Sequence, residues 1–253
     1  MSRLLVTVAH PDDEAFGCGS VLAHATAHGM ESVVACATRG ELGEMAPGLT
    51  HGHPGPHEMG RLREAELRAA TSILGVGRVD VLGWVDSGME GTPAEGSLAA
   101  ADPAEVEEAL AGVIEDVRPD VLVTLDASDG HRDHAVVRDA TLAAVARTSW
   151  RPGRVYLWCL PRSLLAEFTR VPTLGTPDDE VTTVVDVSAH LEQRWRAMRA
   201  HCSQVPPYDS MHPELAHAFL ATDHLQRVSP PWTGGEVERD WVPVAAHRIG
   251  STG

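Results

Sequence analysis

Two short segments of the chain hold side chains that can bind cations and transfer protons. The first, His10-Pro11-Asp12-Asp13-Glu14, places an imidazole and three carboxylates within five residues. The second, His131-Arg132-Asp133-His134, adds two imidazoles and a further carboxylate. Burying so many polar groups without partners would be costly, and a bound cation would remove that cost. Because histidine and aspartate are suitable zinc ligands, the two segments predict a metal site.

The ligand types favour a catalytic metal over a structural one. His10, Asp13 and one imidazole of the second segment would supply three ligands and leave one coordination position open for water. The other imidazole of that segment would stay free nearby. Structural zinc sites are instead closed by four ligands, mostly cysteines.

Each segment alone also has a simpler explanation. A His-Pro pair at the end of a strand can form a turn, and an acid ahead of a helix can cap it, with Glu14 the better candidate. His24 and His28 have helical i, i+4 spacing, but no glutamate follows His24 as a zinc-protease motif requires. We therefore interpret His24 and His28 as part of a solvated helix face.

A further group of histidines lies among glycines and prolines, at positions His51, His53 and His57. This composition predicts a flexible loop, with adventitious metal binding as a minor alternative. The stretch from 44 to 56 is long and polar for an ordinary connection, so we expect a loop or lid beside the site.

The elements that position these groups alternate between strand and helix. Apolar, β-branched runs predict strands at residues 4–8, 32–38, 79–84, 120–125, 155–160 and 181–187. Amphipathic spacing and capping residues predict helices at residues 21–28, 58–74, 103–117, 134–147 and 189–203. This alternation indicates an α/β fold: a Rossmann-like, mostly parallel sheet with helices on both faces. We expect a single domain over residues 1–253, with a core at 1–150 and a C-terminal part at 151–253 that completes the sheet and covers the active-site edge.

Polar clusters follow the first four predicted strands: HPDDE, TRGELGE, DSG and DGHRDH. The carboxyl ends of parallel strands meet at one edge of a sheet, where ligands bind in open α/β folds. The clusters are therefore expected to converge on one site.

Composition excludes several classes of partner. The chain has 253 residues, 43% of them hydrophobic, and a formal net charge of −16, which argues against binding nucleic acid or an anionic membrane surface. No apolar run reaches the roughly 20 residues of a membrane span. Its four cysteines are scattered without a CxxC pair, which is typical of reduced thiols in a cytoplasmic protein. The first strand begins within a few residues of Met1, so no signal peptide is expected.

The motifs together resemble one known family, the PIG-L/LmbE-type zinc-dependent N-deacetylases. The resemblance covers most of the chain and is carried by AHPDDE, TRGELGE, Arg63-x-x-Glu66, LGWVDSGM, GHRDH and HCSQ. The combination of AHPDDE with a downstream HxDH is highly specific. LGWVDSGM is similar to mycothiol-pathway deacetylases. Those enzymes have a tyrosine two residues before the first histidine of GHxDH, where this chain has Asp129, so no role of that tyrosine is inherited.

The resemblance implies a metal site formed by His10, Asp13 and His134, holding Zn²⁺ or another divalent ion such as Fe²⁺. It also implies that Asp12 is the general base. Zinc would polarise the amide carbonyl and make a bound water more acidic.

For the remaining steps the resemblance implies that His131 stabilises the oxyanion and protonates the leaving amine, with Asp133 holding its ring. Charge pairing with Asp133 is expected to raise the pKa of His131. Arg63 and Asp86 match positions that hold the sugar of an N-acetylglucosaminyl substrate in related enzymes.

Three functions remain open at this point. The first is a zinc hydrolase that removes acetyl from an N-acetylated amino sugar or its conjugate. The second is an amidase for a larger N-acyl or thiol-conjugate substrate. The third is a sugar-binding α/β module without turnover, which the complete set of ligands and base disfavours. The expected partner is a small sugar-type molecule, and a homo-oligomer is compatible with the sequence.

Overall fold

A computed structural model describes residues 1–48, 54–166, 174–209 and 211–243 of the chain. Its centre is a seven-stranded sheet in the order β3-β2-β1-β4-β5-β7-β6. The strands are β1 (Arg3–Val8), β2 (Glu31–Thr38), β3 (Arg78–Trp84), β4 (Val121–Leu125), β5 (Arg154–Cys159), β6 (Thr183–Asp186) and β7 (Thr222–Ser229). Strands β1 to β5 pair in parallel, and β7 runs antiparallel to both of its neighbours. The predicted mostly parallel α/β fold is confirmed.

The α-helices are α1 (Asp13–Phe16), α2 (Gly19–Ala27), α3 (Pro56–Leu74), α4 (Pro103–Val117), α5 (Arg132–Arg147), α6 (Arg162–Ala166), α7 (Leu191–Ala200) and α8 (Pro213–Leu220). Local chemistry fixes several of their ends. Helix α4 begins where the Asp102 side chain accepts a hydrogen bond from the Ala104 N–H, as predicted for this cap. Helix α3 has proline at its first position and ends at Gly75, which adopts the left-handed conformation with φ 81°.

The core forms two layers, one on each face of the sheet. Alternate residues of β1 point to opposite faces: Leu4 and Val6 belong to one cluster and Leu5 to the other. The first cluster includes buried side chains of α2, α3 and α7, and the second includes those of α4 and α5. Helices therefore cover both faces, and the central strands are buried on both sides.

The C-terminal third completes the sheet, but in a way that the sequence pattern did not predict. Strand β7 lies between β5 and β6, and the adjoining helix α8 was also not predicted. Farther along, Trp241 is fully buried. Residues 49–53, with the predicted loop histidines His51 and His53, lie outside the described residues, whereas His57 is on α3.

Three of the cysteines, at positions 18, 36 and 159, are buried free thiols, and Cys202 is exposed. Within the described ranges, every helix is too short or too polar to cross a bilayer.

Candidate active site

The carboxyl ends of the parallel strands surround one cleft of about 590 Å³. The polar segments that follow β1, β2, β3 and β4 all contribute to its lining. The predicted site residues that line it are His10, Asp12, Asp13, Arg63, Asp86, His131 and His134. Asp133 is fully buried behind this surface. The expected convergence of the four clusters therefore occurs.

Asp13 lies between two imidazoles at the base of the cleft. Its Oδ2 is 3.7 Å from His10 Nδ1, and its Oδ1 is 3.2 Å from His134 Nε2. The Oδ2 atom also accepts hydrogen bonds from the backbone N–H groups of Ala9 and His10. This turn after β1 fixes the carboxylate between the other two predicted ligands, each of which faces one of its oxygens.

His10 is held from its other side by carboxylates. Its Nε2 is 3.1 Å from Asp133 Oδ2 and 3.6 Å from Asp86 Oδ1. A carboxylate can only accept, so Nε2 carries a proton and the neutral ring keeps its free lone pair on Nδ1, the nitrogen nearer Asp13. Histidine ligands in metal sites are typically oriented by such a carboxylate.

His134 is held in the same way, by a residue to which no role was assigned from the sequence. Its Nδ1 is 2.7 Å from Asp129 Oδ2, so Nδ1 carries the proton and Nε2 is left to face Asp13. That buried Nε2 makes no hydrogen bond to any of the described residues. An orphaned imidazole nitrogen beside a carboxylate and a second free imidazole nitrogen is a donor set that fits a divalent cation.

The charge balance supports the same fit. Burial acts to lower the pKa of His134, but Asp13 and Asp129 outweigh it and raise the pKa to about 11. Burial is likewise outweighed at His10, where Asp133, Asp86 and Asp13 raise the pKa to about 9. The imidazoles thus retain protons because carboxylates surround them. A divalent cation would supply the same positive charge in place of those protons.

A third imidazole, His131, joins this group. One ring nitrogen from each of His10, His131 and His134 lies within 4.8 Å of the others. His131 is the N-cap of α5, and its Nδ1 accepts a hydrogen bond of 3.2 Å from the Asp133 N–H. The neutral ring therefore carries its proton on Nε2.

The expected pairing of Asp133 with His131 takes a different form. The Asp133 carboxylate accepts hydrogen bonds from His10 Nε2 and the Ser87 N–H, and the backbone of Asp133 is what contacts the His131 ring. Burial and the neighbouring imidazolium charges lower the pKa of His131 to about 4. The predicted rise in its pKa is wrong for this geometry, and His131 is a neutral hydrogen-bond donor near pH 7.

Asp12 occupies an unusual backbone conformation next to this group. Its φ of 113° is one that L-residues rarely adopt, and such strain concentrates at functional sites. Its Oδ2 is 2.8 Å from Arg63 Nη2. Burial raises the pKa of Asp12 to about 6, although the Arg63 charge opposes this rise. A carboxylate with a pKa near neutrality suits a general base.

The two predicted substrate-binding residues line the cleft with most of their polar atoms already engaged. Arg63 donates to the carbonyl oxygens of Pro11 and Gly40 as well as to Asp12. Asp86 accepts from the N–H groups of Leu42 and Gly88. Both residues therefore support the loops of the cleft in addition to facing it.

One buried side-chain pair close to Asp12 was not predicted from the sequence. His201 Nε2 and Glu14 Oε1 are 2.6 Å apart, and both side chains are fully buried. From the sequence, Glu14 is the expected helix cap. Instead its carboxylate accepts a hydrogen bond from the Asp12 N–H and so supports the strained backbone of Asp12. The HCSQ motif was the available signal, but its partner lies 187 positions away.

Comparison with known proteins identifies a family and several related enzymes. Residues 5–145 match the family model described as PIG-L, GlcNAc-PI de-N-acetylase. A 1D-myo-inositol 2-acetamido-2-deoxy-alpha-D-glucopyranoside deacetylase of Mycobacterium sp. (strain KMS) is 37% identical over 231 residues, which cover 80% of this chain and 74% of that protein. The protein of the same name from Kineococcus radiotolerans is 35% identical over 249 residues, covering 80% of this chain and 69% of the relative.

The fold has a solved counterpart in N,N'-diacetylchitobiose deacetylase from Pyrococcus horikoshii. The two share a TM-score of 0.67 at 19% sequence identity, over 89% of this chain and 83% of the other. That likeness concerns the fold, whereas the family match spans the two segments at residues 10–14 and 131–134. This chain belongs to the PIG-L family of de-N-acetylases.

Proposed function

We propose that this chain is a metal-dependent hydrolase that removes the acetyl group from an N-acetylated amino sugar or a conjugate of one. The observation that supports the proposal is that Asp12, with its raised pKa and unusual backbone conformation, lines the same cleft as His10, Asp13 and His134. Relatives that are 35% and 37% identical to this chain are named as deacetylases of an acetamido sugar linked to inositol.

His10 Nδ1, the Asp13 carboxylate and His134 Nε2 are the proposed ligands of the ion. Two imidazoles and one carboxylate suit Zn²⁺, and Fe²⁺ or another divalent ion is accommodated by the same donors. When bound, the ion polarises a carbonyl group and makes water more acidic. Asp129, Asp133 and Asp86 orient the two imidazoles through their outer nitrogens.

We assign the proton transfers of this reaction to Asp12. With a pKa near 6 its carboxylate is mostly ionised at pH 7 and accepts a proton from the attacking water. The same group then holds the proton that the leaving amine needs. Arg63 keeps the carboxylate in place through its 2.8 Å contact.

His131 is assigned to the oxyanion. Its Nδ1 accepts from the backbone of α5, so Nε2–H is the donor that remains, and the ring lies 4.5 Å from that of His10. A neutral imidazole at a helix N-terminus donates a hydrogen bond without needing to be protonated. Asp133 is then a positioning residue, acting on His10 through its side chain and on His131 through its backbone.

The test is an assay of the purified full chain against a panel of N-acylated amino sugars. The panel includes N-acetylglucosaminyl conjugates and matched substrates with longer acyl chains, and released amine and carboxylate are both measured. We expect turnover of acetylated sugars that is lost after chelation and restored by Zn²⁺ or Fe²⁺. Release of longer acyl groups alone would identify an amidase, and binding without turnover in the metal-loaded protein would refute the proposal.

A further inference from the structure

A second cluster of metal-binding side chains lies away from the cleft. It consists of His24 on α2, His28 at the C-terminal cap of α2, and Asp240 in the C-terminal segment. One side-chain donor atom from each lies within 4.8 Å of the others. His190, in the turn before α7, contacts the same group. These residues are absent from the lining of the active-site cleft, and the proposed deacetylation uses none of them.

The contacts leave one ring nitrogen of each histidine available to the cluster. His28 Nδ1 donates to the His24 carbonyl oxygen over 2.9 Å, so its neutral ring keeps a lone pair on Nε2. His24 Nε2 is 3.2 Å from Asp240 Oδ1, and its Nδ1 is 3.1 Å from His190 Nε2. Since a carboxylate only accepts, Nε2–H donates to Asp240 in the metal-free chain, and an ion bound there would replace that proton.

The spacing matches what a small divalent ion requires. Two ligands on a tetrahedral zinc with bonds of about 2.1 Å are about 3.4 Å apart, and the His24 to Asp240 contact is already 3.2 Å. Each histidine has its outer nitrogen on a polar partner, a carbonyl oxygen for His28 and an imidazole for His24. This is the support that histidine ligands usually receive.

We propose that His24, His28 and Asp240 form a second divalent-cation site, of the type that takes Zn²⁺, with His190 orienting His24. Asp240 is 46% exposed in its side chain, so an ion reaches the site from solvent, while His24 is buried. The next residue, Trp241, is fully buried with its ring 5.7 Å from that of His24. An ion here fastens the C-terminal segment to α2 and stabilises the folded chain, because the unfolded chain lacks the site.

The experiment titrates ZnCl₂ into the full chain after chelator treatment, with bound metal measured after gel filtration and thermal unfolding followed in parallel. The variants are His28→Gln and Asp240→Asn for the second site and His134→Gln for the active site. His57→Gln is the matched control, since His57 lies on another helix with 85% of its side chain exposed. Circular dichroism without metal verifies that each variant is folded.

We expect two bound ions in the wild type and His57→Gln, and one in each of the other variants. His28→Gln and Asp240→Asn keep their turnover. Zinc raises their Tm less than it raises that of the wild type, because the second site no longer contributes. His134→Gln keeps that contribution. A single ion in the wild type overturns this site. So does a second ion that survives in both His28→Gln and Asp240→Asn, or one that is lost in His57→Gln. If the metal-loaded wild type showed no turnover, the proposed function would be refuted. The number of bound ions would still test the second site.

Discussion

Arg63 and Asp12 form a buried ion pair at the edge of the cleft, with 2.8 Å between Nη2 and Oδ2. The arginine side chain is 4% exposed and the aspartate side chain 15%. The same guanidinium also binds the Pro11 carbonyl oxygen over 2.6 Å, which fixes the turn that leads into Asp12. Arg63 therefore sets both the direction of the carboxylate and its affinity for a proton.

Replacing Asp12 with asparagine tests the role of the base directly. Asn keeps the side-chain shape and tolerates a positive φ, so the fold and the three proposed metal ligands are expected to remain. Turnover should fall about 10²- to 10⁴-fold, the usual contribution of a positioned base. Steady-state kinetics and metal content measured on the same preparation check this. A variant that binds metal and keeps most of its turnover would remove Asp12 from the proton transfer.

Replacing Arg63 with glutamine tests the electrostatic part of the pair. The arginine charge lowers the pKa of Asp12, so its loss raises that pKa further above the usual carboxyl value. The base must be deprotonated, hence the acidic limb of the kcat/KM profile should move to higher pH. Arg63→Lys retains a charge and should shift the limb less. The exposed Arg61, changed to glutamine, is the control, and an unmoved limb in Arg63→Gln would contradict this assignment.

Replacing Asp129 with asparagine tests the support of His134. The carboxylate that accepts from His134 Nδ1 is lost, and groups in this position typically contribute 10- to 100-fold to metal affinity. Excess metal should restore most of the turnover. Competition with a chelator gives the metal affinity. Asp139→Asn is the control, because Asp139 is exposed and lies on α5 with His134. Equal affinities in all three proteins would show that Asp129 only caps the turn.

Replacing His201 with leucine tests the pair beneath Asp12. It leaves the Glu14 carboxylate buried without its partner, which typically costs about 3–5 kcal/mol of unfolding free energy. Glu14 raises the pKa of His201 in the folded state against the effect of burial. The pair therefore stabilises the folded chain fully below the pKa of about 6.5 that His201 has in the unfolded chain. This stabilisation is lost as pH rises through the higher pKa of His201 in the folded chain.

Urea denaturation from pH 6 upward measures this effect. The stability gap between wild type and His201→Leu should narrow with rising pH. The exposed His217→Leu is the control, and adding Glu14→Gln to His201→Leu should recover part of the loss. A gap that widens with pH would contradict the charged pair.

The sheet could be predicted from the sequence because its central strands are buried on both faces. Each of β1, β2 and β4 is a continuous apolar run followed directly by polar residues, so both the strand and the position of the site could be predicted. Strand β7, TDHLQRVS, lacks such a run, and Leu225 and Asp223 are its fully buried members. Its place in the sheet comes from pairing with two neighbours, which a local pattern does not contain.

Side-chain direction was the other part that the sequence could not supply. His131 and Asp133 are close in sequence, which suggested that they pair. Residues two apart at the start of a helix point away from each other, so the carboxylate of Asp133 faces His10 instead. Contacts such as Asp129 with His134 and Glu14 with His201 also depend on how distant elements pack.

The antiparallel β7 has a consequence for any attempt to shorten the chain. It is hydrogen-bonded to β5 on one side and to β6 on the other. A truncated product that stops before Thr222 would lack β7. One edge of β5 would then have no hydrogen-bonding partner, and β6 would lose the strand with which it pairs. Bare edges of this kind recruit other chains. We therefore expect such a product to aggregate, although every proposed active-site ligand and the base lie in the first 134 residues.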